Sequence, residues 1–322
     1  MTRYGYHCSH EQYPPSEMLA HARAAEAAGF QAGMCSDHFH PWTAAQGHSG
    51  YAWSWLGAAL EATRLSFGTV SAPGWRYHPA ILAQAAATLA EMYPERLWLA
   101  VGSGEALNEA ITTEPWPAKP ERTARLRECV DVMRALWRGE EVTHLGRVRV
   151  QEAKLYSRPA RAPLVFGAAL SEETAETVGG FCDGLATVGA PPEQLRRMLD
   201  AFRRGGGEGK PVYVQHALSW APTEAEARRA GHAQWAFAAL GGDVLPTLRT
   251  PREFAAAAKF VSPDDLAEKI RVSSDLARHA AWIAEYAELG VDAVYLFNVN
   301  RGQRAFIEAF GKYVLPQLVE SA

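Results

Sequence analysis

The chain has 322 residues, 48% hydrophobic and 21% charged, which supplies enough apolar material for a large core. A formal net charge of −4 gives no basic field for nucleic acid or an anionic membrane, and no run approaches the roughly 20 apolar residues that span a bilayer. Four scattered cysteines (Cys8, Cys35, Cys129, Cys182) form no CxxC pair, and the N-terminal residues lack the apolar core of a signal peptide, so a cytoplasmic protein with ordinary thiols is expected.

From the N-terminus onward, short apolar runs alternate with longer amphipathic ones. Strands are predicted over 4–8, 32–35, 65–70, 97–101, 164–168, 184–188, 212–220 and 293–297. Helices are predicted over 16–28, 51–62, 79–93, 121–137, 172–180, 192–204 and 276–289. Gly29 and Gly290 follow helices at positions that favour a left-handed backbone. Ser262-Pro263-Asp264-Asp265 reads as a cap, a first-turn proline and acids that complement the helix dipole, and Thr223 with Glu226 fits a capping box. Eight strand–helix units predict a closed (β/α)8 TIM barrel rather than an open doubly wound sheet, in one α/β domain spanning 1–322. Residues 36–50, 102–120 and about 221–261 do not fit the repeat and read as loop insertions after strands 2, 4 and 7; residues 142–150 read as a small hairpin. In a barrel, active sites are built on loops that follow strands.

The loop after the second strand concentrates chemistry: Ser36-Asp37-His38-Phe39-His40-Pro41-Trp42. His38 can take or give a proton near neutral pH, and an adjacent carboxylate such as Asp37 can fix its tautomer. The pair His38 and His40 also admits a metal-dependent barrel hydrolase, although no convincing carboxylate partner accompanies His216 on the seventh strand. After the fourth strand, Gly102-Ser103-Gly104 allows close backbone approach to a ligand, while Glu105 and Asn108 add a carboxylate and an amide. This is not a dinucleotide fingerprint, because the third glycine and the ribose acid are missing. Thr69-Val70-Ser71-Ala72 follows the third strand with small residues suited to a flat ring. Gly167-Ala168-Ala169-Leu170-Ser171 joins the fifth strand to a helix; Ser171 reads as its cap, and Glu172 and Glu173 oppose a nearby phosphate.

These motifs together resemble the bacterial luciferase-like superfamily, most closely its branch of glucose-6-phosphate dehydrogenases that use the deazaflavin coenzyme F420. The matching stretches include Ser9-His10-Glu11-Gln12, Ser36-Asp37-His38-Phe39 with Pro41-Trp42, Arg76-Tyr77-His78-Pro79 and Gly102-Ser103-Gly104-Glu105-Ala106-Leu107-Asn108-Glu109. The resemblance implies an oxidoreductase, dehydrogenase or monooxygenase, with an isoalloxazine-like ring at the barrel mouth and a homodimeric assembly. It implies His38 as proton-transfer residue, Glu105 as the carboxylate at the reduced ring, and Trp42 and Glu11 as further active-site positions. Asp37, Ser103, Gly104 and Asn108 match cofactor contacts, and the Val70-Ser71 bond falls where the family has a non-prolyl cis peptide. Two departures stand out. The sugar-phosphate lysines are replaced by Thr187-Val188-Gly189-Ala190 and Glu268, so glucose 6-phosphate is not expected as substrate. A Gly-Gly cofactor turn is replaced by Ala169-Leu170, whose side chains are expected to crowd a backbone approach and to disfavour the deazaflavin's bulky phosphate tail, in a turn where Ala168, Ala169 and Ser171 are the expected cofactor contacts. The departures favour FMN as cofactor, with F420 as the alternative.

Overall fold

The computed structural model describes residues 1–112, 115–242 and 244–320. The strands are β1 (Arg3–Cys8), β2 (Ala32–Cys35), β3 (Ser66–Ser71), β4 (Leu97–Val101), β5 (Val142–Leu145), β6 (Arg149–Ala153), β7 (Leu164–Ala168), β8 (Gly184–Val188), β9 (Val212–Ser219), β10 (Arg271–Val272) and β11 (Ala293–Asn298). Eight of them run parallel in the order β9-β11-β1-β2-β3-β4-β7-β8, and a β8–β9 pairing closes the circle. The expected barrel is therefore present, with β10 a two-residue spur on β9 and β5–β6 an antiparallel hairpin outside it. The hairpin runs three residues beyond the predicted end, and its register shifts between Val142 and His144.

Alternation along each strand separates two apolar layers. Inward residues Trp98, Phe166, Tyr213 and Tyr295 fill the barrel axis with small residues such as Ala32, Ala100 and Ala293 around them. The Phe166 and Tyr213 rings stack at 4.1 Å, and Trp98 stands edge-on to both. This filling needs bare backbone opposite the indole: a Cβ at Gly68 would lie 2.1 Å from Trp98. Outward residues Tyr4, Leu99, Val165, Val214 and Leu296 pack on the surrounding helices.

The predicted helices appear within one or two residues of their expected ends. Gly29 and Gly290 have φ of 96° and 76°, as their capping positions require. Ser262 forms a reciprocal capping box with Asp265, whereas Thr223 accepts from the Glu226 amide. The insertion after β9 is largely helical, with Glu224–Trp235, Pro251–Ala257 and Pro263–Ala267. Among the described residues, no helix is long and apolar enough to cross a membrane.

Candidate active site

Loops at the carboxyl ends of β1 to β4 bring the predicted residues together. Glu11, just past β1, is buried, and one carboxylate oxygen accepts from Ser9 Oγ and Ser36 Oγ, each at 2.7 Å. Its other oxygen lies 3.0 Å from His38 Nδ1. This contact is an ion pair rather than an aligned hydrogen bond, since Nδ1 has no partner in hydrogen-bond geometry. Burial pushes the Glu11 pKa up, but the His38 charge and the two hydroxyls outweigh it and hold the carboxyl well below its ordinary range. Burial alone would depress His38; the Glu11 charge, with help from Glu105 and against Arg76, leaves the imidazole above its ordinary value.

The carboxylate that meets His38 is thus Glu11 and not its chain neighbour Asp37, which the sequence suggested as its orienter. Asp37 is committed elsewhere. Its buried carboxylate accepts from Ser71 Oγ at 2.5 Å, Tyr77 Oη at 2.8 Å and Arg76 Nη2 at 3.2 Å. Arg76 also donates to the Asp37 carbonyl at 2.9 Å and reaches Glu109, whose Oε2 accepts from the Arg76 amide at 3.0 Å. Trp53 Nε1 donates to Ser71 Oγ at 3.2 Å. Ser71 and Asp37 therefore hold the β2 and β3 loops in register, and their polar atoms are already used.

Glu105 opens the short helix Ala106–Glu109 with its Oε2 buried and unpartnered. Burial raises its pKa, Glu11 adds to the rise, and His38 with Arg122 oppose it. Gly104 has φ 84°, and its carbonyl accepts from Arg122 Nη1 at 2.5 Å. Ser103 is half-buried beside it. Across the strands, Ala168 and Val70 stand 3.6 Å and 3.9 Å from where a Gly102 Cβ would be, so these three positions share one wall of the mouth. Asn108 Oδ1 accepts from the Phe39 and His40 amides at 2.9 Å and 3.3 Å, and His40 Nδ1 lies 2.9 Å from the Leu107 carbonyl. Both residues fasten the β2 loop to the β4 loop. His40 Nδ1 is thus committed to the β4 loop, and among the described residues no three His, Cys, Asp or Glu groups gather in a way suited to a metal ion.

The β7 turn differs from expectation. The Ala169 amide donates to the Ala186 carbonyl at 3.0 Å and its carbonyl accepts from Thr187 Oγ1 at 2.8 Å, so its N–H is already engaged with β8. Leu170 is 68% exposed. Ser171 caps its helix by accepting from the Thr174 amide at 3.3 Å, with Lys119 Nζ 3.4 Å from the same hydroxyl. Glu172 pairs with Arg197 at 3.0 Å. Glu172 in the acidic first turn is thus paired, and a lysine stands beside the cap.

The opposite wall is aromatic and was mostly missed. Trp42 stands edge-on to His38 at 4.8 Å and stacks on Phe237 at 4.8 Å, with Trp235 and Phe254 around it. Three of these rings come from the β9 insertion, whose sequence offers no local sign of which rings meet the mouth. Two buried histidines were also unassigned. His7 packs on Phe297 at 4.4 Å beside Gln215, and burial pushes both His7 and His10 down to about 4.

The luciferase-like monooxygenase family matches residues 2–293. The chain is 34% identical to the F420-dependent glucose-6-phosphate dehydrogenase of Beutenbergia cavernae over 99% of this chain and 98% of that protein. It is 35% identical to the enzyme of the same name from Nakamurella multipartita over 98% and 96%. A solved F420-dependent secondary alcohol dehydrogenase, in complex with an F420–acetone adduct, superposes with a TM-score of 0.90 at 32% identity, covering 98% of this chain and 99% of that one. These relatives are named for F420, and none of the three lends support to FMN.

Proposed function

The chain belongs to the luciferase-like monooxygenase family of oxidoreductases, and we propose that it is an F420-dependent dehydrogenase acting on a hydroxyl-bearing substrate, with His38 as the proton acceptor. The observation that carries this reading is the buried Glu11–His38 pair at the barrel mouth, with its nitrogen and oxygen 3.0 Å apart. A carboxylate fixed by two hydroxyls holds Nδ1, which leaves Nε2 to face a substrate and makes the imidazole a stronger base than a free histidine.

The residues present fit a flat cofactor with an anionic tail. Gly104 has φ 84°, and a Cβ there would meet Glu109 at 3.0 Å and Trp116 at 3.3 Å, so the backbone itself forms the surface. Glu105 offers an unpartnered buried oxygen. When bound, the deazaflavin supplies a two-electron hydride acceptor. Val70, Ser103, Gly104 and Ala168 would line the ring, and Ser171 with Lys119 would face the tail. Asp37, Ser71 and Asn108, read from sequence as contacts, also brace these loops through the hydrogen bonds given above. Glu105 retains its proton to higher pH than an exposed glutamate and is placed to hold or deliver one proton at the ring. Trp42 shields His38 from water on one side.

The test is a fluorescence titration of the protein with F420 and with FMN. Micromolar or tighter F420 binding, with FMN at least about tenfold weaker, is expected. FMN bound as tightly as F420, or carried through purification, would reassign the cofactor.

A further inference from the structure

We propose that Arg301 is a positioning residue, which clamps the β2 loop to the β9 insertion and so seats Trp42 against His38 for proton transfer; the inference rests on the dehydrogenase reading above. Four loops converge on this guanidinium and the amide beside it. Arg301 follows β11 in a segment fixed from within by buried Asn300, whose Nδ2 donates to the Trp220 carbonyl at 2.7 Å and whose Oδ1 accepts from the Gly302 amide at 2.8 Å. From that base Arg301 Nη2 donates to the Ala45 and Gln46 carbonyls of the β2 loop, at 3.0 Å and 2.7 Å. Its Nε donates to Gln234 Oε1 at 3.4 Å, in the last turn of the insertion helix Glu224–Trp235. Gln12 Nε2, from the β1 loop, donates to the same Gln234 oxygen at 3.2 Å and to the Val299 carbonyl at 2.6 Å.

The clamp is wired directly to the mouth. Gln46 is fully buried; its Oε1 accepts from the Trp42 amide at 2.8 Å, and its Nε2 donates to the Gln234 carbonyl at 3.3 Å. Trp42 therefore hangs from Gln46, and its ring meets His38 edge-on at 4.8 Å. Gln234 immediately precedes Trp235, whose ring lies 6.5 Å from Trp42, and Gln12 immediately follows Glu11. The acceptors of Arg301 are all neutral oxygens, and among the described residues no carboxylate pairs with it. Its charge is spent on geometry: a planar fork reaches two loops at once, which the point charge of a lysine does not. Without it the β2 loop and the insertion lose their common anchor, and a displacement of about 1 Å at a group beside the reacting atoms can cost about 10²-fold in rate. The reach of Arg301 ends at these oxygens, so it acts through Gln46 and Trp42.

The experiment compares full-length parent protein with Arg301→Ala, Arg301→Lys, Trp42→Ala and the double variant Arg301→Ala/Trp42→Ala, each loaded with F420 and offered 2-propanol or glucose 6-phosphate as reductant. Arg301→Ala is expected to lower kcat per F420-bound site by about tenfold to hundredfold while F420 affinity stays within about threefold, with Arg301→Lys recovering only part of the loss. Counting only F420-bound sites removes any unfolded fraction from the comparison. In the Trp42→Ala background the same substitution should change kcat by less than about threefold, because the ring that it places is gone. A readout without turnover is the NMR signal of the His38 ring in histidine-labelled protein, assigned by its loss in His38→Ala. That signal should move in Arg301→Ala and in Trp42→Ala, and no further in the double variant than in Trp42→Ala alone. Additive effects of the two substitutions, or an unchanged kcat and His38 signal in Arg301→Ala, overturn the positioning role and leave the dehydrogenase reading standing. If the parent binds F420 but oxidises neither probe, the His38 signal alone decides the clamp by the same criteria; failure to bind F420 overturns both.

Discussion

Replacing Glu11 by Gln preserves shape and, with the amide oxygen toward Ser9 and Ser36, both hydroxyl contacts, while removing the charge that sits 3.0 Å from His38 Nδ1. At that separation two unit charges interact by about 5 kcal/mol at an effective dielectric of about 20, and by about 1.4 kcal/mol if screened as in bulk water. Loss of the charge therefore lowers the His38 pKa, which the Glu11 charge holds above its ordinary value. The sign follows from the role. A general base works when neutral, so activity rises as pH increases through its pKa, and the acid limb of kcat/KM against pH lies above the ordinary imidazole value in the parent protein. In Glu11→Gln the limb moves to lower pH, and the plateau falls because a weaker base accepts the proton less readily. F420 reduction measured from acid to neutral pH reads both effects. A limb that stays within about 0.3 unit of the parent would show that Glu11 does not govern His38.

His38→Ala should lower kcat by about 10²- to 10⁴-fold while F420 affinity, from fluorescence titration, stays within about tenfold; full activity would remove His38 from the mechanism. Asp37→Asn leaves Arg76 with half its buried partners and should cost roughly 3 kcal/mol, read as a fall of several degrees in Tm; an unchanged Tm would mean the hub is not structural. Burial holds His7, His10 and His279 at about 4 and His216 at about 3, so the unfolded chain takes up protons first as pH falls below about 6.5. Stability present above that pH should be lost progressively toward about 4, and His216→Gln should flatten the decline in a Tm-against-pH series.

The barrel was legible because its signals are periodic. Parallel strands buried on both faces read as short apolar runs, and every strand of the closed sheet was found to within one residue at either end. The two-residue β10 was not, since a pair of residues carries no period and its pairing with β9 is set by the insertion that precedes it. Two helices of that insertion announced their starts at Thr223 and Ser262, but their extents were not legible: Glu224–Trp235 has a weak apolar stripe, because it packs on other loop elements rather than on the barrel alone.

Site residues divide along the same line. His38, Trp42, Glu105 and Gly104 lie in local clusters of unusual composition, and such clusters are visible in one dimension. What sequence cannot show is which neighbour an ionisable group will meet. Asp37 is adjacent to His38 along the chain yet serves Ser71, Arg76 and Tyr77, while Glu11, 27 positions away, takes the imidazole. Parallel strand pairing explains the exchange. β1 and β2 are neighbours, with Cys8 opposite Cys35, so the loops leaving them start side by side, and Ser36 on one is within 2.7 Å of Glu11 on the other. A barrel thus converts adjacency between strands into adjacency between functional groups. The useful question for a reactive residue on one βα loop is therefore which carboxylate leaves the next strand at the same level.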